Sequence, residues 1–196
     1  MGVSMQHYLF PLPVLLLPGG VTLLRIFEPR YLRLVKECCA TDTGFVIAME
    51  DNNRLCSLGT LVKITDFEQR DDNTLGITIK SLSVVQIDEP AQQDDGLWYA
   101  STERRPFWDE KPAVDETQFR NLSHMLRQLF VAYPDLDALY PVKLFDDVNW
   151  VCSRWLEVVP LANNQRQWYL GQADHAEALQ FLTTTLIEDS TPTQHS

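Results

Sequence analysis

The sequence predicts an α+β protein: a β-rich N-terminal half carrying one helix, then a helical C-terminal half. Three observations predict it. Before Arg105 apolar residues mostly alternate or form short continuous runs, whereas beyond it they recur at i, i+3, i+4 and i+7. Polar segments rich in Gly, Asn and Asp separate the early runs. Where the pattern changes, "PFWDEKPAVDE" carries two prolines and no period, as a boundary does.

The first element is "LFPLPVLLLPGGVTLLRIFEPRY", Leu9 to Tyr31. It is apolar enough to suggest a leader or a membrane span. A secretory signal needs a positive segment ahead of its apolar core, and no Lys or Arg precedes Arg25. A span needs about 20 unbroken apolar residues. Pro11, Pro13, Pro18, Gly19 and Gly20 forbid one continuous helix. An extended segment, a turn at Pro18-Gly19-Gly20 and a strand from Val21 to Phe27 fit instead, so the stretch is expected to be core. In "FEPRYLRLVKECC", Tyr31, Leu34, Val35 and Cys38 fall on one helical face, with Arg30, Arg33, Lys36 and Glu37 mostly opposite. Pro29 suits the first turn and Glu28 its positive end, so Glu28-Pro29-Arg30 reads as a helix start anchored by a charge pair.

Strands follow. Gly44 to Met49 is a short apolar run; "GTLVKITDFEQR" alternates, with Val62 and Ile64 on one face. "RDDNTLG" is a turn and "GITIKSLSVVQI" the returning strand of a hairpin. Leu97 to Arg104 gives one more strand. Strands joined by short turns suggest a small antiparallel barrel or sandwich. In the second half, Asp115 with Gln118 resembles a capping box for a helix running through Leu122, Leu126 and Phe130 to Pro134. Asp147 can cap a helix stopped at Pro160, Asn164 can open a short one through Tyr169, and Asp174 with Glu177 leads into a closing helix. The expected organisation is a β-rich subdomain over 8–105, a linker over 106–114, a helical subdomain over 115–188 and a disordered tail over 189–196.

Composition narrows the function. A net charge of -11 on 196 residues lacks the basic footprint that nucleic acid or an anionic membrane demands. Cys38, Cys39, Cys56 and Cys152 form no C-x-x-C pair with a histidine cluster, so they read as reduced, mostly buried thiols of a cytoplasmic protein. His7 precedes the expected fold, His195 lies in the tail, and His124 and His175 read as solvated helix residues. No G-x-S-x-G elbow occurs, and Asp71-Asp72, Asp94-Asp95 and Asp146-Asp147 read as turns and caps rather than metal sites. No catalytic residue, cofactor or metal is therefore expected.

Phe10-Pro11-Leu12-Pro13, Pro18-Gly19 and Ile26-Phe27-Glu28-Pro29-Arg30-Tyr31 together resemble the opening signature of the LON domain, the N-terminal substrate-binding domain of the ATP-dependent protease Lon. The resemblance continues through "GTLVKITDFEQR" and "LGITIK". "WLEVVPLANNQRQWYLGQADHAEALQFL" is similar to the family's Trp- and Glu-containing helix ending in P-L, its short Gln-containing helix and its closing helix. Members commonly carry a Gly and an Arg-Phe pair on the strand after the hairpin; here that stretch is Lys80-Ser81-Leu82-Ser83-Val84-Val85, so no function tied to that pair carries over.

The resemblance implies a PUA-like pseudo-barrel followed by a helical subdomain. With no G-x-x-x-x-G-K-[ST] loop, and an end where the ATPase and protease modules would begin, the expectation is a standalone LON-domain protein that is not an enzyme. The implied partner is unfolded or extended polypeptide, or another protein, with no nucleic acid and no membrane. RNA binding through the PUA-like fold and a structural adaptor role are the alternatives. Trp98, Tyr99, Phe107 and Trp108 cluster in sequence beside the subdomain boundary and are the candidate binding residues; the competing reading is that they pack the two halves together. The signature residues Phe10, Pro11, Pro13, Pro18, Gly19, Phe27, Glu28, Pro29, Arg30 and Tyr31 read as structural.

Overall fold

The structure, a computed structural model, describes residues 4–69 and 74–188. The apolar N-terminal stretch folds as strand, turn and strand. Strand β1 (Met5–Pro11) is followed by an irregular segment, a turn and β2 (Val21–Ile26). The Gly20 N–H donates to the Leu17 carbonyl at 2.8 Å, and Gly19 has φ 82°. Proline second and glycine third make this a type II turn, whose third residue requires a positive φ. Leu9, Leu16 and Leu17 are buried, so the stretch is core. Among the described residues no helix is long and apolar enough to cross a membrane. β1 starts at Met5, so His7 does not precede the fold but is buried within it.

Helix α1 (Pro29–Thr41) has Pro29 in its first turn and buries Tyr31, Leu34, Val35 and Cys38, the face its spacing specified. Then come β3 (Phe45–Asp51), β4 (Arg54–Gln69), β5 (Leu75–Gln92) and β6 (Trp98–Arg105). β4 begins ahead of the expected Gly59 because Asn52 and Asn53, with φ 49° and 61°, close a two-residue hairpin that pairs Asp51 with Arg54. The turn expected over 70–76 lies largely outside the described residues, though Gln69 pairs with Leu75 at its base.

The six strands lie in the order β2-β5-β4-β3-β1-β6, and β6 also pairs with β5. β5 is long enough for two neighbours on one edge: Leu75 to Lys80 pair with β2, Val84 to Gln92 with β6. Strands β5, β4, β3, β1 and β6 therefore close a ring, with β2 flanking it. The ring is not wholly antiparallel: β1 and β3 are parallel, Leu9 facing Val46, because α1 carries the chain back between them. Leu9, Val46, Ala48, Leu61, Val85, Ile87 and Ala100, drawn from all five ring strands, fill the inside. On the outer face Phe10, Phe45, Ile47, Val62 and Ile77 pack with Leu34 and Val35 of α1. Successive residues of β1 and β3 thus enter different cores, which explains the nearly unbroken apolar run of β3.

Six helices are described; beyond α1 they are α2 (Glu116–Ala132), α3 (Pro134–Ala138), α4 (Val148–Val158), α5 (Asn163–Leu170) and α6 (Ala176–Thr183), with a π-helical turn at Thr184–Glu188. The chain forms two compact units: residues up to Phe107 with Ala162–Gly171, and Trp108–Leu161 with Gln172 onward. Helix α5, expected with the other late helices, belongs to the first unit. The Gln167 amide accepts the Leu58 N–H at 3.3 Å and donates to the Leu58 carbonyl at 3.0 Å, as a paired strand residue would.

In the second unit Asp115 caps α2, accepting from the Thr117 and Gln118 N–H groups, and Asp147 caps α4 through the Trp150 N–H. Phe130, Tyr140, Phe145 and Trp150 form its aromatic centre, with ring separations of 5.3–5.9 Å. Buried Arg154 forks onto Glu157 at 2.7 and 2.8 Å. His175 is buried, not solvated. Asn149 donates its amide N–H to the Trp108 carbonyl at 3.0 Å, so its oxygen accepts from His175 Nδ1 at 2.8 Å. Protonation would then put a hydrogen on Nε2, which is buried without a hydrogen-bond partner.

Two predictions follow from this packing. A Cβ on Gly59 would point into the ring, 2.7 Å from Val46 Cγ1 and 2.8 Å from the Ile47 carbonyl oxygen. Gly59→Ala should therefore cost about 1–3 kcal/mol in chemical denaturation. Gly171→Ala, whose nearest new contact is 3.5 Å, should be close to neutral; equal effects would contradict the ring packing. Burial is the main cause that lowers the pKa of His7 and of His175 below 6.5. The unfolded chain takes up these protons first as pH falls. Their contribution is complete above about pH 6.5 and is lost as pH falls below it. The double change His7→Gln, His175→Gln should flatten the stability–pH curve between about pH 7 and 5; an unchanged slope would exclude these histidines as its source.

Candidate functional site

Six of the ten signature residues meet in one cleft of about 470 Å³ on the first unit. The end of β1 brings Phe10 and Pro11, the β2–α1 junction brings Phe27 and Glu28, and the first turn of α1 brings Arg30 and Tyr31. Phe10 stacks on Tyr31 with ring centroids 4.0 Å apart, forming an aromatic floor. Phe27 follows β2, pairs with nothing in the sheet and is 65% exposed at the rim. Glu28 stands at the α1 N-cap, but its carboxylate takes Arg30 at 2.7 Å instead of capping. The Arg30 guanidinium lies 4.9 Å from the Tyr31 ring centroid and donates to the Gly96 carbonyl at 3.4 Å. Its Nε is buried with no hydrogen-bond partner, so the cleft wall holds an unused donor. Trp98 of β6, Arg25, Glu50 and Gln92 complete the lining.

A polar network beside the cleft holds the β5–β6 turn against α1. Arg33 grips Asp95 at 2.9 and 3.0 Å and reaches Glu37 at 3.3 Å and the Gln93 side chain. The Leu97 N–H, and then Arg33, hold the Asp95 carboxyl below the usual range. The Tyr8 hydroxyl donates to Glu37, a bond that leads the upward shift of its pKa, followed by burial. Gly96, at φ 82°, lets the turn bend so that Trp98 enters β6 opposite Gln92 and Leu9.

The four aromatic candidates are not brought together. Trp98 lines the cleft, packing also against the ring interior. Tyr99, one residue on, points to the polar surface around Arg33 and Gln93, as strand alternation requires. Phe107 is half-buried at the end of the first unit's main segment. Trp108 is in the second unit, 2% exposed, and adopts φ 49°, its carbonyl held by Asn149. Among the remaining signature residues, Pro13 presents its carbonyl to Arg166, Pro18 and Gly19 make the turn, and Pro29 starts α1. Arg25, Glu50 and Gln92 were not singled out in the sequence, since nothing local marks them. Neither was an apolar groove of about 670 Å³ on the second unit, between Leu129, Tyr133, Leu136, Trp155, Val158 and Pro160.

A pseudo-barrel with this signature cleft defines a LON-type domain. The family model of the ATP-dependent protease La (LON) substrate-binding domain matches residues 7–186, and the chain belongs to that family. Among solved structures it is similar to a Lon N-terminal domain protein from Xanthomonas campestris, with 26% identity and a TM-score of 0.72 over 92% of this chain and 98% of that one. It also shares the fold of the N-terminal domain of Mycobacterium avium complex Lon protease, with 18% identity and a TM-score of 0.67 over 93% of this chain and 100% of that one. No curated protein gives a significant match.

Trp108→Ala should cost about 3–5 kcal/mol of unfolding free energy, because a large buried ring is removed. Denaturant titration measures this directly. A loss near zero would mean the ring is free to serve a partner.

Proposed function

We propose that this substrate-binding domain is a non-catalytic module that holds extended or non-native polypeptide in the cleft around Phe10, Phe27, Tyr31 and Trp98. The exposure of Phe27 beside an aromatic floor carries the reading, since a large apolar ring left in water at a concave surface gains most from a partner. Arg25, Glu28, Arg30 and Glu50 supply charges of both signs around it, suited to backbone amides and varied side chains rather than to one rigid ligand. Family membership supports the same class of partner.

The histidines and buried cysteines of the module are not set up for catalysis. His7 is tied to Thr102 at 2.7 Å and His175 to Asn149 at 2.8 Å. Burial pushes the thiol pKa of Cys38 up to about 11 and that of Cys152 up to about 12, so neither is a ready nucleophile. Four free thiols suit a reducing compartment, and we assign the module to the cytoplasm. The net charge of -11 disfavours the RNA-binding alternative.

Fluorescence anisotropy with a labelled, reduced and alkylated polypeptide tests the site. Phe27→Ser should weaken binding at least about fivefold with an unchanged melting temperature, because the ring is exposed. Tyr133→Ser, in the groove of the second unit, should bind as wild type. The opposite pattern would move the site to that groove, and no affinity in the unaltered protein would remove the binding reading in favour of an adaptor. Purified protein should neither hydrolyse ATP nor cleave casein; ATP turnover that tracks the protein peak through repurification would contradict the non-catalytic reading.

A further inference from the structure

A second cavity, of about 610 Å³, opens at one end of the strand ring and shares no residue with the signature cleft. Its floor is Leu61 and Val85, which belong to the ring interior. Its rim carries two exposed apolar side chains, Met5 and Leu82. Leu82 is the extra residue of a bulge: Leu61 pairs with Ser83 and Val62 with Ser81, so Leu82 has no partner on β4. Bulges at barrel rims re-aim side chains in this way. The mouth of a barrel with an apolar floor and a few convergent polar groups is a common setting for small ligands, and this volume lies within their usual range.

The charges at the mouth add up to one. Lys63 is matched by Asp42 at 2.9 Å. His7 contacts the Thr102 hydroxyl at 2.7 Å, and that hydroxyl donates to the Met5 carbonyl at 3.2 Å. The arrangement that satisfies both contacts has His7 donating from Nδ1, which leaves Nε2 an acceptor. Burial, with Arg104 second, lowers the pKa of this ring, so it adds no charge near neutral pH. Arg104 remains. Its partner in the ladder is Val85, on the inward-facing register, and among the described residues no carboxylate pairs with it. Arg104 thus sets an uncompensated guanidinium at the rim of an apolar floor.

We propose that the barrel mouth binds an apolar monocarboxylate, with Arg104 taking the carboxylate and Leu61, Leu82 and Val85 the apolar body. A monoanion matches the single uncompensated charge, and the Asp42 carboxylate on the rim opposes a second negative charge. The fork of Arg104 suits a carboxylate with two parallel hydrogen bonds. Free carboxylic acids and the C-terminal residue of a polypeptide both present this chemistry.

Titration of the isotope-labelled full chain by amide NMR tests it, with hexanoate as the free acid and N-acetyl-leucine as the chain-terminus mimic. Both should shift the Thr43, Gly44, Leu82 and Thr102 amides saturably, and the tighter of the two assigns the source. N-acetyl-leucine amide, which lacks the charge, should bind at least about tenfold more weakly than the acid. Arg104→Gln should weaken both acids by about tenfold while leaving the remaining spectrum in place. Phe27→Ser should leave their binding unchanged, so failure here and failure of the cleft are separable. No saturable shift up to about 10 mM, equal binding of acid and amide, or an Arg104→Gln variant that binds like wild type would each overturn the proposal. So would hexyl phosphate binding more tightly than hexanoate, or loss of hexanoate binding in Phe27→Ser.

Discussion

The fold of the first unit depends on β6 bonding on both edges, to β1 along one and to the far half of β5 along the other. Without that closure β1 and the far half of β5 would expose unpaired backbone groups, a costly and association-prone arrangement. Closure fixes the rest. A five-strand ring is narrow, so its interior takes Ala48, Ala100 and Gly59 among the larger Val and Ile side chains, and Gly59 leaves the space that Val46 and Ile87 occupy. The same closure gives the ring an outer face needing cover, and α1 with the segment after β1 supplies it.

The cleft is held in shape by charge as well as by packing. Arg33 sits on α1, Asp95 and Gln93 in the β5–β6 turn, and Glu37 ties in Tyr8 from β1. Three separate elements are thereby referred to one guanidinium. Each exposed pair alone contributes about 1 kcal/mol or less, and the value of the network lies in position rather than stability. It sets where the turn leaves Trp98 relative to the Phe10–Tyr31 stack.

Much of this was readable in the sequence because the signals are local. Pro18-Gly19 names its own turn type, the spacing of Tyr31, Leu34, Val35 and Cys38 names the buried face of α1, and Asp115 and Asp147 announce their helices. What could not be read depends on pairing between distant residues. The parallel β1–β3 ladder, the double pairing of β5 and the side-chain pairing of Gln167 with Leu58 leave no local trace. The histidines show the same division. His7 was expected ahead of the fold and His175 on a solvated helix, yet both are buried, their Nδ1 atoms held by Thr102 and Asn149. The aromatic cluster divides for a related reason: neighbours in sequence on a strand face opposite ways, and Trp108 lies beyond the strand in another unit.

Charge is distributed differently in the two units. Several basic side chains of this acidic chain meet a carboxylate: Arg30 meets Glu28, Arg33 meets Asp95, Arg127 meets Asp146, Lys143 meets Asp137 and Arg154 meets Glu157. Such pairs quench local field, so the cleft presents a surface of mixed charge on which apolar contact weighs most. The buried pair is different in kind. Arg154 and Glu157 are removed from water between the Tyr140 and Trp150 rings, where breaking one partner would strand the other charge. The second unit therefore holds one ion pair in its own interior, while the pairs of the first stay partly exposed.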